Sequence, residues 1–257
     1  MKIVVLVKEV PDTYGDRKLD LETGLANRDA NDRVLDEVGE RATEVAISYA
    51  ESTPGTEVVV LTAGPVSAVN SLRKALAMGA DRAVHVVDAG LAGADLTLTS
   101  EALAKAIQTL SPDLVITGNV STDGSGGVMP ALIAERLGLP AVTALDSVEL
   151  ADGVVRGDRA TDGGRMKVEA PLPAVISITE QLPDPRFASL KGIMAAKKKP
   201  FDTLTLSSLG VDPDALTPRS IMIAVAERPP RGAGVKVVDD GTAAQQLADF
   251  LAQKGLV

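Results

Sequence analysis

Residues 113–138 read DLVITGNVSTDGSGGVMPALIAERLG, and this stretch decides the fold. Leu114, Val115 and Ile116 form a short apolar run, the pattern of a strand buried on both faces. Leu132, Ile133 and Leu137 recur at helical spacing. Between them lies GNVSTDGSGG, Gly118 to Gly127, with glycines at 124, 126 and 127. Strand, glycine-rich turn and helix in that order bring backbone N–H groups and a helix N-terminus to one edge, where the dipole favours an anion. Asp123 or Thr122 is expected to cap the helix. The loop reads as a nucleotide phosphate cradle; the alternative is a glycine-rich turn that holds no ligand. It is not a Walker A loop, because no Lys-Ser/Thr follows the glycines. Nor is it the dinucleotide fingerprint, which belongs after the first strand.

The same rhythm extends outward. Ile3 to Val7, Val58 to Leu61 and Ala83 to Val87 are further buried-strand runs. Helical spacing appears in Val34, Leu35, Val38, Ala42, Val45, Ala46 and Tyr49, in Val69, Leu72 and Leu76, and in Leu103, Ile107 and Leu110. Strands alternating with helices predict a parallel sheet wrapped by helices over residues 1 to about 140. After Pro140, runs at Val148, Val154, Met166 and Ala174 to Ile178 are separated by Asp152-Gly153 and Asp162-Gly163-Gly164, which are turn signals. They predict a smaller antiparallel extension of that sheet. Beyond Leu182 the chain is punctuated by Pro183, Pro185, Pro200, Pro213, Pro218, Pro229 and Pro230, and Ala243 to Leu251 reads as a short amphipathic helix. The expected division is an α/β nucleotide-binding domain at 1–184, a partner-recognition loop at 185–200 and a C-terminal arm at 201–257 that lies across another surface.

Composition narrows the chemistry. The 257 residues include one His, no Cys, no Trp and only five aromatic rings. Disulfides, iron–sulfur clusters and zinc sites built on Cys or His are excluded or nearly so. A net charge of −9 argues against a general nucleic-acid binder. No apolar run approaches the ~18 residues of a membrane span, and MKIVVLVKEV opens directly as a strand without a signal-peptide pattern. A cytoplasmic protein is the expectation.

Three further constellations stand out. Lys8, Glu9, Pro11, Asp12 and Tyr14 follow the first strand, and Thr62-Ala63-Gly64-Pro65 follows the second. Both sit at the edge that carries the glycine loop, and backbone at Leu6, Ala63 and Gly64 is placed to frame an adenine; plain turn chemistry is the alternative. PRFASLKGIMAAKKKP, Pro185 to Pro200, sets Phe187, Leu190, Ile193 and Met194 before Lys197, Lys198 and Lys199. It reads as an apolar anchor with a basic rim for a partner, or as a solvated charge run. His85 lies within AVHVV and reads as a packed residue rather than a catalyst. Asp29, Asp32, Asp36 and Glu37 receive no acid–base role, and no catalytic or metal-ligating residue is expected.

TAGP, ALAMGADRAVHV, DLVITGN, LPAVISI, PRFASLKGIMAAKKK and PPRGAGVKV, in this order, make the chain resemble the electron transfer flavoprotein beta subunits from end to end. The resemblance implies an open, mainly parallel Rossmann-like α/β sheet of adenine-nucleotide-binding type, with helices on both faces, an antiparallel extension and an extended C-terminal arm. It implies a heterodimer with an alpha subunit that holds most of the FAD, and a structural AMP in the beta subunit. Electrons would come from acyl-CoA and related dehydrogenases of fatty acid oxidation and leave to a membrane quinone oxidoreductase. The chain itself would be an electron carrier subunit, not an enzyme. Carried over by residue, Asn119, Ser121, Thr122, Asp123, Gly124, Ser125, Gly126, Gly127 and Val128 are candidate AMP contacts, with Leu6, Asp36 and Ala63 on the adenosine side. Tyr14 is the flavin-proximal candidate. Leu190 is the docking anchor, with Ile193, Met194, Lys197, Lys198 and Lys199 around it. Two departures leave an alternative open. Asp36 stands where Asn is common, and Ser125-Gly126-Gly127-Val128 replaces the usual Gln-Thr-Gly or Gln-Val-Gly. The alternative is an electron-bifurcating beta subunit with its own second FAD. A stand-alone adenine-nucleotide-binding protein is a third reading; as an enzyme it would want a Ser-Gly-Gly-x-Asp-Ser loop after the first strand, which is absent.

Overall fold

A computed structural model of the chain describes residues 1–215 and 222–257; Pro218 of the punctuated tail lies outside the described residues. Contacts divide the chain into one unit at 1–223 and another at 224–257.

In the first unit the elements run β1 (Lys2–Leu6), β2 (Glu9–Pro11), β3 (Arg33–Leu35), α1 (Glu37–Ser52), β4 (Glu57–Ala63), α2 (Val69–Met78), β5 (Arg82–Val86) and α3 (Leu96–Leu110). They continue with β6 (Leu114–Gly118), α4 (Met129–Leu137), β7 (Ala141–Leu145), β8 (Glu149–Ala151), β9 (Val154–Thr161), β10 (Gly164–Pro171), β11 (Ala174–Ile178), α5 (Leu190–Ala196) and β12 (Phe201–Leu204). Seven strands form one sheet in the order β12-β5-β4-β1-β6-β11-β7. Every pairing in it is parallel, so all seven carboxyl ends share one edge.

Alternation along β1 fills both layers of the core. Ile3 and Val5 face α1 and α2, with Ala42, Ala46, Leu72 and Leu76. Val4 and Leu6 face α3 and α4, with Ala102, Leu103, Ile107 and Ile133. With no Trp and few rings, close packing rests on Val, Ile, Leu and Ala. From β1 the chain steps to β4 and β5, then returns through α3 to β6 on the other side of β1. The direction of winding reverses between β1 and β6. Ligand crevices of such sheets open outside the carboxyl ends at that switch point.

Four local expectations change. Val34 and Leu35 are strand, not helix: β3 pairs antiparallel with β2, and Asp36 N–H donates to Lys8 O at 2.9 Å, so α1 begins only at Glu37. Ala174 to Ile178 is not part of an antiparallel extension. AVISI is apolar on both faces, and β11 is wholly buried between β6 and β7 in the parallel sheet. The antiparallel strands β8, β9 and β10 form a sheet of their own rather than extending the first. Finally, Phe201–Leu204, expected within the arm, is an edge strand paired with β5, and Leu206 and Val211 beyond it are buried.

The second unit, described by itself, runs without regular structure from 224 into α6 (Ala243–Gln253). Val235, Val238, Leu247, Phe250 and Leu256 all remain exposed. Among the described residues no helix is long and apolar enough to cross a membrane.

Candidate functional site

The glycine loop leaves β6 at the switch point. Asn119 N–H donates to Ile178 O on β11 at 2.9 Å, and its carboxamide oxygen accepts Val120 N–H at 2.8 Å. A tight turn follows, in which Ser125 N–H donates to Ser121 O at 3.0 Å. Ser125 has φ 51° and Gly127 φ 66°, so the chain passes twice through the left-handed region. At Gly127 a side chain would also lie 3.2 Å from Val120, which makes glycine the fitting residue there. The N–H groups of Gly126, Gly127 and Val128 donate to no acceptor among the described residues. α4 begins directly after them, so three free donors immediately precede the positive end of a helix.

Asp123 does not cap α4, and neither does Thr122. Val128 holds the N-cap position without a side-chain bond. Asp123 is instead gripped by two cations, Lys8 Nζ at 2.7 Å and Arg28 Nη2 at 3.0 Å. It also accepts Gly124 N–H at 2.6 Å. Burial pushes this carboxyl up, but hydrogen bonding and charge from Lys8, with help from Ser121 and Gly124, outweigh it and hold the group well below the usual carboxylate range. Ser121 shares Lys8 at 3.3 Å.

Asp36 joins the loop to α1. Its Oδ2 accepts Thr122 N–H at 3.0 Å, and the residue is almost wholly buried. Burial pushes its carboxyl above the ordinary value; the Thr122 hydrogen bond and the nearby Val38 N–H, which stays outside bonding geometry, oppose that, and Asp123 adds to it. Asp36 Oδ1 and Thr122 Oγ1 are both buried without a hydrogen-bond partner, so two polar atoms beside the loop await one. Leu6 and Ala63 stand at the carboxyl ends of β1 and β4, on the same edge. Free N–H groups and two orphaned oxygens fit a phosphorylated nucleoside with hydroxyl or amino donors.

Of the candidate contacts, Asp36 and Ser121 to Gly124 are tied together by hydrogen bonds and ion pairs, Gly126 to Val128 follow them into α4, and Leu6 and Ala63 end their strands on the same edge. Lys8 and Arg28 were not among them. Lys8 carried a signal, since it follows β1 at the right edge; Arg28 lies 95 residues from Asp123 in sequence and carried none. Tyr14 is fully exposed in the turn after β2, where Asp12 Oδ1 accepts its N–H. His85 is buried, 3.1 Å from Gly64 O and edge-on to Phe201.

The docking candidates lie on the far side of α1 and α2. Ser189 caps α5, its Oγ accepting Gly192 N–H at 3.1 Å. Phe187, Leu190, Ile193, Met194, Lys197 and Lys198 are exposed. Lys199 is not available as rim: its Nζ sits on the carbonyls of Leu76, Gly79 and Ala80 at 3.0, 3.2 and 2.7 Å. Upstream, Arg186 grips Glu44 and Glu51 on the outer face of α1, with Nε to Glu44 at 2.8 Å and Nη2 to Glu51 at 2.9 Å. Burial raises the Glu44 carboxyl, but its hydrogen bonds from Arg186 win and lower it. Its contribution is therefore present above the ordinary value of 4.5 and is lost only as pH falls through the lowered pKa. Glu44→Ala is expected to lower the melting midpoint at neutral pH by about 2–4 °C, for ~1 kcal/mol lost from a partly exposed pair. Differential scanning calorimetry at low and high salt checks it, and a midpoint equal to wild type under both conditions would show that the grip adds nothing.

Parallel sheet, topological switch between β1 and β6 and the glycine loop at it define the class: an α/β protein of the doubly wound type. Comparison with known proteins carries the assignment further. A family model described as electron transfer flavoprotein domain matches residues 23–209. The chain is 47% identical to the electron transfer flavoprotein subunit beta of Mycobacterium tuberculosis, over 99% of both chains. It is 46% identical to that of Mycobacterium leprae, again over 99% of both. It is 34% identical to the caffeyl-CoA reductase-Etf complex subunit CarD of Acetobacterium woodii, over 99% of this chain and 97% of that one. The chain belongs to the electron transfer flavoprotein family, among its beta subunits.

Proposed function

We propose that this chain is the beta half of a heterodimer that carries electrons from acyl-CoA and related flavin dehydrogenases to a membrane quinone oxidoreductase in the cytoplasmic compartment. In this reading the alpha subunit holds most of the FAD, which supplies the redox chemistry, and the beta chain supplies binding and docking. The glycine-loop crevice holds AMP. Its phosphate takes the N–H groups of Gly126, Gly127 and Val128, and Asp36 Oδ1 and Thr122 Oγ1 take polar groups of the nucleoside. The observation that carries the reading is those two orphaned oxygens beside three free donors at the switch point. Tyr14 completes the flavin side only in the heterodimer, since in the chain alone it touches solvent.

The experiment is to denature the purified heterodimer and quantify what it releases. One flavin and one AMP per heterodimer are expected. Two flavins and no AMP would replace the reading with the bifurcating one, which the acidic Asp36 and the Ser125–Val128 departure leave open. A heterodimer without flavin absorbance, or nucleotide turnover by the chain alone, would overturn both.

A further inference from the structure

The run Lys197-Lys198-Lys199 splits in space. Lys197 and Lys198 face solvent, whereas Lys199 turns inward. The last carbonyls of a helix have no partner within it, and α2 ends at Met78 beside Gly79, whose φ of 149° suits glycine. An ammonium carries three donors, and Lys199 spends them on one of these carbonyls, Leu76 O, and on the carbonyls of Gly79 and Ala80 just past the helix end. The positive charge also lies at the negative end of the helix dipole.

The reverse contact exists as well. Arg73, from within α2, donates through Nη1 to Ala196 O at the end of α5, at 2.6 Å. Its guanidinium also lies 4.8 Å from the centre of the Phe201 ring, where β12 begins. Each helix is therefore closed at its C-terminus by a cation from the other's segment. Between these two bonds the helices meet closely at Gly192, where an added Cβ would lie 2.3 Å from Ala77 O. A seven-residue helix is too short to persist by its own hydrogen bonds. Its shape must come from the helix it rests on.

We propose that Lys199 and Arg73 are positioning residues for partner docking: their reciprocal capping fixes α5 on α2, so that Leu190, Met194, Lys197 and Lys198 reach a dehydrogenase as one preformed surface. Preorganisation raises affinity by removing the cost of ordering a segment on contact. The inference rests on the reading that this surface meets flavin dehydrogenases. Lys199 touches no partner in it and acts only through the two helices.

The test uses the flavin-loaded heterodimer with medium-chain acyl-CoA dehydrogenase driven by octanoyl-CoA, together with hydrogen exchange on the same samples. Lys199→Met is expected to raise the KM for the heterodimer about fivefold with kcat and flavin content unchanged. Exchange of the amides at 192–196 should speed up at least tenfold, with β1 and β4 unaltered. Arg73→Gln breaks the pair from the other side and should move both readouts in the same direction. Lys199→Arg keeps the charge, but a planar fork does not match three converging carbonyls, so it should rescue only in part. Wild-type KM and wild-type exchange in both Lys199→Met and Arg73→Gln would overturn the proposal. Leu190→Ala run alongside separates the two ideas: if it leaves KM unchanged, the docking reading fails, and faster exchange in Lys199→Met with unchanged KM would restrict the clamp to holding α5 and overturn its role in docking.

Discussion

Leu190→Ala should raise the KM of a dehydrogenase for the heterodimer about 30-fold, leaving flavin content and melting midpoint as they were. Leu190 opens α5 with 83% of its surface exposed. Within the chain it therefore contributes little to stability, and truncating it leaves no cavity. Full burial of a leucine side chain in a partner's pocket is worth about 1.5–3 kcal/mol. An anchor at the centre of an interface costs ~2 kcal/mol or more when truncated, about 30-fold in affinity. Lys197 and Lys198 differ in kind. On the proposed docking reading they are rim charges, so their replacement should change the salt dependence of association more than its strength at physiological salt. Steady-state kinetics with the heterodimer as varied substrate measures both effects. A KM within twofold of wild type for Leu190→Ala would place the anchor elsewhere.

The parallel sheet was legible because its strands are buried on both faces and announce themselves as unbroken apolar runs. The same property hid β11. AVISI carries no direction, and the two turn signals before it suggested a meander, whereas burial between β6 and β7 decided its place. Val34 and Leu35 failed for a different reason. Their spacing continues the helical period of α1, and only the pairing with Glu9 and Val10, 25 or so residues earlier, ends the helix before Glu37. Periodicity is a local signal, and that ladder is not local. In the site, the strand-to-helix turn is legible in its glycines, whereas the role of its acid is not. Asp123 has the look of a cap because caps are often acids before helices; its partners come from the loop after β1 and from the excursion after β2. Asp36 had no context in sequence beyond the resemblance, since what makes it notable is burial beside Thr122. Lys199 shows the same limit: three identical letters in a row gave no hint that the third turns inward.

On the proposed reading that the glycine loop holds AMP, Asp123→Ala should weaken retention of that nucleotide by more than tenfold. The Asp123 side chain is only 9% exposed, while Lys8 and Arg28 keep 44% and 33% of theirs. Breaking a fully buried ion pair costs about 3–5 kcal/mol and an exposed one ~1 or less. Two half-wet cations that rehydrate when their acid is removed fall between, at about 2 kcal/mol, before counting the Gly124 N–H that also loses its acceptor. That energy now holds Ser121 to Gly124 in the turn that leads into Gly126 and Gly127. Asp123→Asn keeps an acceptor for Lys8 and Gly124 but not the charge, and should fall between wild type and alanine. The pH dependence has a definite sign. A depressed carboxyl contributes its stability above its ordinary pKa of 3.8 and loses it only as pH falls through the depressed value. Nucleotide lost on mild acidification, above 3.8, must then come from another group, and Asp36, which burial pushes up and which accepts Thr122 N–H, is the carboxyl beside the loop with the matching direction. Nucleotide per heterodimer after gel filtration, measured for wild type and both variants across that pH range, decides the matter. A full complement of nucleotide in Asp123→Ala would mean that the loop holds its shape without the two cations, and that the free N–H groups alone carry the site.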